Sequence, residues 1–193
     1  MNITEVSEEL NSIAQKINNS AKLKQTGTMA AETMRKHLYE GNGFDPISQT
    51  TRDYRGEGKP LQDTGALRDS ITAELVNSST VSVGTNKVYA PIHNNGGTIT
   101  AKKEWLWIPG PRMRSYQRRY GYGVKDVLDG LRSEDFFVYR AGRTIQYREK
   151  SKEAVPHIAF YLKKSVEIPK REFFYLTDRE LQQIVDEVYD DIL

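Results

Sequence analysis

Chemistry in this chain would have to come from three histidines, adjacent carboxylate pairs such as Glu134/Asp135 and Asp190/Asp191, a few glycine turns and one arginine–tyrosine stretch. His37, His93 and His157 lie far apart, and none has a His-x-x-His or glutamate partner nearby. A metal centre would need folding to bring all three together. His93-Asn94-Asn95 superficially resembles a metal-dependent nuclease motif, but no second ligand cluster follows it. His93 is therefore read as the end of a short helix that hydrogen-bonds a glycine turn. Thr64-Gly65 and Gly84-Thr85-Asn86 lack the Gly-Lys-Ser/Thr ending of a phosphate loop, and no Gly-x-Ser-x-Gly elbow is present. Glu134/Asp135 and Asp190/Asp191 are neighbours in sequence, point in different directions and read as solvated surface. There is no cysteine, which excludes disulfides, thiolate catalysis and cysteine-built zinc sites. The residues thus assign no catalytic, cofactor or metal position, and the expectation is a protein that is not an enzyme.

The arginine–tyrosine stretch is the strongest remaining signal. Arg112, Arg114, Tyr116, Arg118, Arg119, Tyr120 and Tyr122 fall within twelve residues, 112–123. Arginine neutralises phosphates and tyrosine stacks on bases, which would suit a small nucleic-acid-binding protein. Both residue types are also enriched at protein interfaces. The formal charge of +2 lacks the basic excess of a dedicated nucleic-acid binder. The interface is therefore the preferred reading, and DNA contact the alternative.

These residues sit on a chain of 193 residues, 37% hydrophobic and 28% charged, enough for one polar but foldable domain. No apolar run reaches the roughly 20 residues of a spanning helix. The acidic start, MNITEVSEEL, lacks the apolar core of a secretory signal. Ile3, Val6, Leu10, Ile13 and Ile17 predict one amphipathic helix, and Ala30, Thr33, Met34, His37 and Leu38 a second that stops at Gly41. Residues 42–58 read as a loop.

Asp63 and Thr64 read as caps of a short helix carrying Leu67 and Ile71 on one face. Strands follow at Thr72–Val76 and Thr80–Val83, joined by Asn77, Ser78 and Ser79. Val88 to Ile92 predict a helical turn before Gly96-Gly97. Trp105 to Ile108 is an apolar run, and Val124 to Leu131 one or two helical turns. Phe136–Tyr139 and Thr144–Arg148 form a hairpin pattern. Val155 to Val166 returns the chain to the main sheet. Thr177 and Glu180 form a capping box for a last helix whose apolar stripe is Leu181, Ile184, Val185, Val188 and Ile192. Charge is uneven: Lys102 to Lys150 is rich in arginine, while Asp186 to Asp191 is acidic. Such asymmetry is common in proteins that stack on copies of themselves. Acid at the C-terminal end of the last helix is unfavourable and predicts fraying or a basic partner.

Three sequence words resemble the phage virion morphogenesis family, typified by the Mu G tail-completion protein. Lys59, Pro60, Leu61, Asp63, Thr64, Gly65, Leu67, Arg68, Ser70 and Ile71 match the first. Val83, Gly84, Thr85, Asn86, Tyr89, Ala90, Ile92, His93, Gly96 and Gly97 match the second. Ile168, Pro169, Arg171, Phe173, Leu176, Thr177 and Asp178 match the third, with Glu172 where proline is common. Outside the resemblance lies ~104–166, and 104–160 is read as an insertion, with its own hairpin, in a single domain covering 1–193.

The resemblance implies an α+β fold: a mainly antiparallel sheet packed with a long N-terminal helix and a C-terminal helix. It implies a tail-completion or head–tail joining role, exercised by binding. The partners it implies are identical subunits in a ring, a hexamer favoured, together with the tail tube or terminator and the head–tail connector, and no membrane. Its place would be the host cytoplasm during assembly and then the virion. The motif words would hold the sheet's shape, with Gly65, Gly96 and Gly97 serving backbone geometry. Interface surface would come from 42–58 and 104–160.

Overall fold

The computed structural model describes residues 19–151 and 153–190; the helix predicted over 3–17, and Ile192, lie outside them. The chain is α+β, and every strand pairing among the described residues is antiparallel. It divides into two compact units. The first comprises Met1–Phe44, Leu61–Asn95 and Lys170–Leu193; the second comprises Asp45–Pro60 and Gly96–Pro169. The strands form two two-stranded sheets and one of four strands rather than one sheet.

In the first unit, helix α1 (Ser20–Glu40) begins where the Asn19 side chain accepts from the Ala21 N–H at 2.8 Å. It ends at Gly41, whose N–H bonds the His37 carbonyl and whose φ of 63° turns the chain out of the helix; glycine adopts that left-handed conformation without strain. Ala30, Ala31, Met34 and Leu38 form its buried stripe. Strands β1 (Ile71–Asn77) and β2 (Thr80–Thr85) make the expected hairpin. Arg35 Nε donates to the Ile71 carbonyl at 3.0 Å, tying α1 to the start of β1. The helix expected from Asp63 is only a 3-10 turn, Arg68–Ser70, and Ile71 already belongs to β1. Gly65, at φ 77°, stands in what would be the first helical turn and sends the chain elsewhere. Leu67 and Ile71 are nevertheless buried in one cluster with Leu38 and Phe173.

A short helix (Ala90–Asn95) then buries Ala90, while Val88 is 95% exposed, so the apolar face expected there is narrower. A last helix (Asp178–Tyr189) carries the expected capping box of Thr177 and Glu180. It packs through Ile184 and Val188 against Ala30; Leu181, expected to be buried, is 48% exposed.

Numbered in chain order, helix α2 (Gln49–Arg55) opens the second unit. Residues 42–58 are therefore not all loop. Ser48 caps α2, accepting from the Thr51 N–H, and Gln49 bonds Asp53 one turn on. The Ala90–Asn95 helix is α3. Strand β3 (Gly97–Thr100) pairs with β8 (Ser165–Ile168). Between them come β4 (Leu106–Pro109), α4 (Met113–Tyr120), α5 (Val124–Ser133), β5 (Phe136–Ala141), β6 (Thr144–Glu149) and β7 (His157–Lys163). The sheet order is β4-β7-β6-β5. Helices α4 and α5 cover one face through Met113, Val127 and Leu131, packed on Ile145, Tyr147, Phe160 and Leu162. The final helix, Asp178–Tyr189, is α6.

Candidate functional site

In the first unit the second and third sequence words meet. The His93 carbonyl accepts from the Arg171 N–H at 2.9 Å. The Asn94 side-chain oxygen accepts from the N–H groups of Phe173 and Phe174, at 3.0 and 2.9 Å. Arg171 and Phe173 are buried. His93 Nδ1 is buried without a hydrogen-bond partner among the described residues. Burial, and then the Arg171 guanidinium, hold the imidazole below its ordinary pKa. Tyr89 packs edge-on against the ring at 6.0 Å. Next to this junction, Val83, Gly84, Thr85, Asn86, Val88, Ala90, Asn94, Phe173 and Phe174 line an open cleft of about 530 Å³.

The first word is used structurally as well. Gln62 Nε2 donates to the carbonyls of Leu38 and Tyr39, capping the C-terminal end of α1. Ser70 Oγ donates to the Leu67 carbonyl and contacts Thr85 Oγ1 at 2.6 Å, linking the first word to the second. Arg68 is an exposed ion-pair partner of Asp69. Thr64 and Asp63 are exposed in the turn. Asn86 is exposed and Ile92 half-buried. Gly96 and Gly97 have φ of 71° and 143°, the conformations that favour glycine, and Pro169 closes the second unit.

His37 is a functional-looking residue with a structural use. Its Nε2 lies 2.7 Å from Glu180 Oε1, and its ring stacks on Tyr175 at 4.2 Å. Burial opposes ionisation of Glu180, yet hydrogen bonds from the Thr177 N–H, His37 and the Thr177 hydroxyl hold its carboxyl at about 2. Among the described residues no group of three or more His, Asp or Glu side chains could hold a metal ion.

In the second unit the arginine–tyrosine stretch forms α4. Tyr116 packs against the core cluster, T-shaped on both Phe136 and Tyr147. The Tyr120 hydroxyl donates to Glu134, which also pairs with Arg119; the Tyr120 bond is the main reason that the Glu134 carboxyl is held down. Burial, and then the neighbouring Tyr116, push the Tyr147 phenol up to about 12. Arg114 donates to the Arg55 carbonyl at 3.3 Å, and Tyr54 bonds Gln117 at 2.7 Å, which fixes α2 on α4. Arg112 and Arg118 are exposed, and Arg112 lies 3.4 Å from His157 at the edge of a pocket of about 350 Å³. Tyr116 and Tyr120, expected to meet bases, are thus packed inward, while Arg112 and Arg118 face out.

Sequence reasoning missed the other face of the four-stranded sheet. Strand alternation puts Phe137 and Tyr139 of β5, Gln146 and Arg148 of β6, Tyr161 of β7 and Ile108 of β4 opposite the helices. None of these joins a buried cluster. Phe137 stacks on Tyr139 at 5.4 Å, and Arg148 lies over Phe137 at 5.5 Å. The signal was the period of two within 136–148.

Residues 1–136 match the phage virion morphogenesis family. No curated protein and no solved structure matches the chain.

Proposed function

The chain belongs to the phage virion morphogenesis family, and on that premise we propose that it completes the tail or joins head to tail, by ring-type self-association and docking. Its working place on this reading is the host cytoplasm during assembly and then the virion, with tail tube, terminator or connector proteins as neighbours. A hexamer is the expected ring. The observation that carries the reading is the fate of the polar motif residues. Of the matched residues Ser70 and Thr177 bond backbone groups through their side chains, Asn94 and Gln62 inside the words do the same, and His93 contributes its backbone carbonyl, as in a protein whose product is a shape. No helix among the described residues is long and apolar enough to cross a membrane.

The nucleic-acid alternative retains the exposed Arg112, Arg118 and Tyr122, but Tyr116 and Tyr120 serve the core and Glu134. The test is electron microscopy of lysates from a host whose phage lacks this gene. Separate filled heads and tails, or tails of abnormal length, are the expected result. Infectious particles in normal number would sink the reading. Complementation with charge substitutions in 104–160 should fail while the purified subunit stays folded.

A further inference from the structure

Charge is divided between the two units. The second holds 18 Lys and Arg against 11 Asp and Glu, a net +7, and the first holds 10 against 15, a net −5. A near-neutral chain is therefore an acidic body joined to a basic one. Surfaces of opposite sign on one molecule favour contact between unlike faces of successive copies. Such a heterologous contact closes into a ring, or propagates, according to its rotation.

Each unit carries a local feature that suits this. On the first, α1 and α6 border an open groove of about 790 Å³ with Met29 and Ile184 at its apolar part and Glu180, Asp186, Glu187 and Asp190 along it. Lys36, its one lining cation, is paired with Glu40. Glu187 and Asp190 have no ion-pair or hydrogen-bond partner among the described residues, and the last turn of α6 contains no basic residue. They stand at the negative end of the helix dipole, where cations are favourable neighbours; Lys22 of α1 donates to the Val188 carbonyl there at 3.0 Å but pairs with neither carboxylate among the described residues. On the second unit, 112–119 contains four arginines and no carboxylate. Arg118 is exposed and unpaired among the described residues, and Tyr122, four residues on and between two glycines, is 71% exposed. Tyrosine and arginine are, with tryptophan, the residue types enriched at the energetic centre of interfaces.

We propose that the Arg118–Tyr122 segment of one copy seats in the acidic α1–α6 groove of the next, with Tyr122 against the half-buried Met29 and Arg118 facing Glu187 and Asp190. This rests on the self-association reading and names the two surfaces that carry it.

The test uses the full-length protein in sedimentation velocity at low and high salt. Wild type should form oligomers that dissociate as salt rises. Arg118→Glu with Tyr122→Ala, and separately Glu187→Lys with Asp190→Lys, should each weaken association by about tenfold or more, with unchanged circular dichroism. Mixed, the two variants should form a one-to-one dimer and nothing larger, since each retains the surface that the other lacks. Variants that assemble like wild type would overturn the surfaces and leave ring formation standing. A wild-type chain that stays monomeric at low salt would overturn both. Monomers that retain duplex DNA through Arg118 would reassign the basic surface to nucleic acid.

Discussion

Asn94 holds the backbone of Phe173 and Phe174 with one side-chain oxygen, at 3.0 and 2.9 Å, across 79 residues of sequence. The bond pair joins α3 to the segment that leads into α6. It places Phe173, 1% exposed, in the cluster of Leu38, Leu67 and Ile71. Removing the acceptor strands two part-buried N–H groups, at about 2 kcal/mol. Asn94→Ala should lose about that in urea unfolding. Asn94→Asp keeps an acceptor and should stay within about 1 kcal/mol of wild type. Equal losses would mean that the amide, and not the oxygen, is what matters.

His93 gives the fold a pH dependence whose sign is fixed by its surroundings. Burial and Arg171 lower its folded pKa below the unfolded value. Between the two values the unfolded chain binds more protons, so stability rises with pH there. The contribution is complete above about pH 6.5 and is lost as pH falls through the window between the unfolded and folded values. His93→Gln should flatten the difference in unfolding free energy between pH 7.5 and 5.5. An unchanged slope in the variant would assign the dependence to other groups.

What was legible in the sequence was local. The capping box of Thr177 and Glu180 is four residues long and reads directly, and the β1–β2 hairpin announces itself by alternation around Asn77. Helices α2 and α4 were not legible. Gln49–Arg55 buries no residue and is held through single contacts such as Tyr54 to Gln117, which have no period; Met113–Tyr120 turns Met113, Tyr116 and Gln117 inward at helical spacing, but with one aliphatic residue among arginines and tyrosines that face does not read as an apolar stripe. Leu181 fits the apolar stripe of α6, yet the helix packs chiefly through Ile184 and Val188, and Leu181 is 48% exposed. The meeting of His93 and Asn94 with Arg171 and Phe173 depends on the path of the whole first unit, and no local rule reports it. The open face of the four-stranded sheet was hidden for a related reason: strand alternation was visible at Phe137 and Tyr139, but which side the helices cover was not.

The α6 cap ties the acid stability of the first unit to Glu180. Its folded carboxyl lies at about 2, below the ordinary 4.5. A depressed carboxylate contributes stability above its unfolded pKa, and that is lost as pH falls from about 4.5 towards 2. Thr177→Ala and Glu180→Gln should each cost about 1 kcal/mol at neutral pH. The double variant should cost less than the sum, because both act on one cap. The acid limb of a stability–pH curve should be shallower in Glu180→Gln than in wild type; an identical limb would remove Glu180 from the account.

Gly27 is the point where α1 crosses the β1–β2 hairpin. A Cβ there would lie 2.3 Å from Val81 Cγ2 and 3.0 Å from Ala73 Cβ. The helix itself would gain about 1 kcal/mol from alanine. Val81 is β-branched and stiff, so it cannot swing its methyl away, and overpacking of this kind costs about 1–3 kcal/mol. The clash outweighs the propensity, and Gly27→Ala should lower the melting temperature. Adding Val81→Ala removes the struck methyl and should restore much of the loss, a positive coupling that independent sites would not show. A Gly27→Ala protein more stable than wild type would mean that α1 does not approach the hairpin this closely.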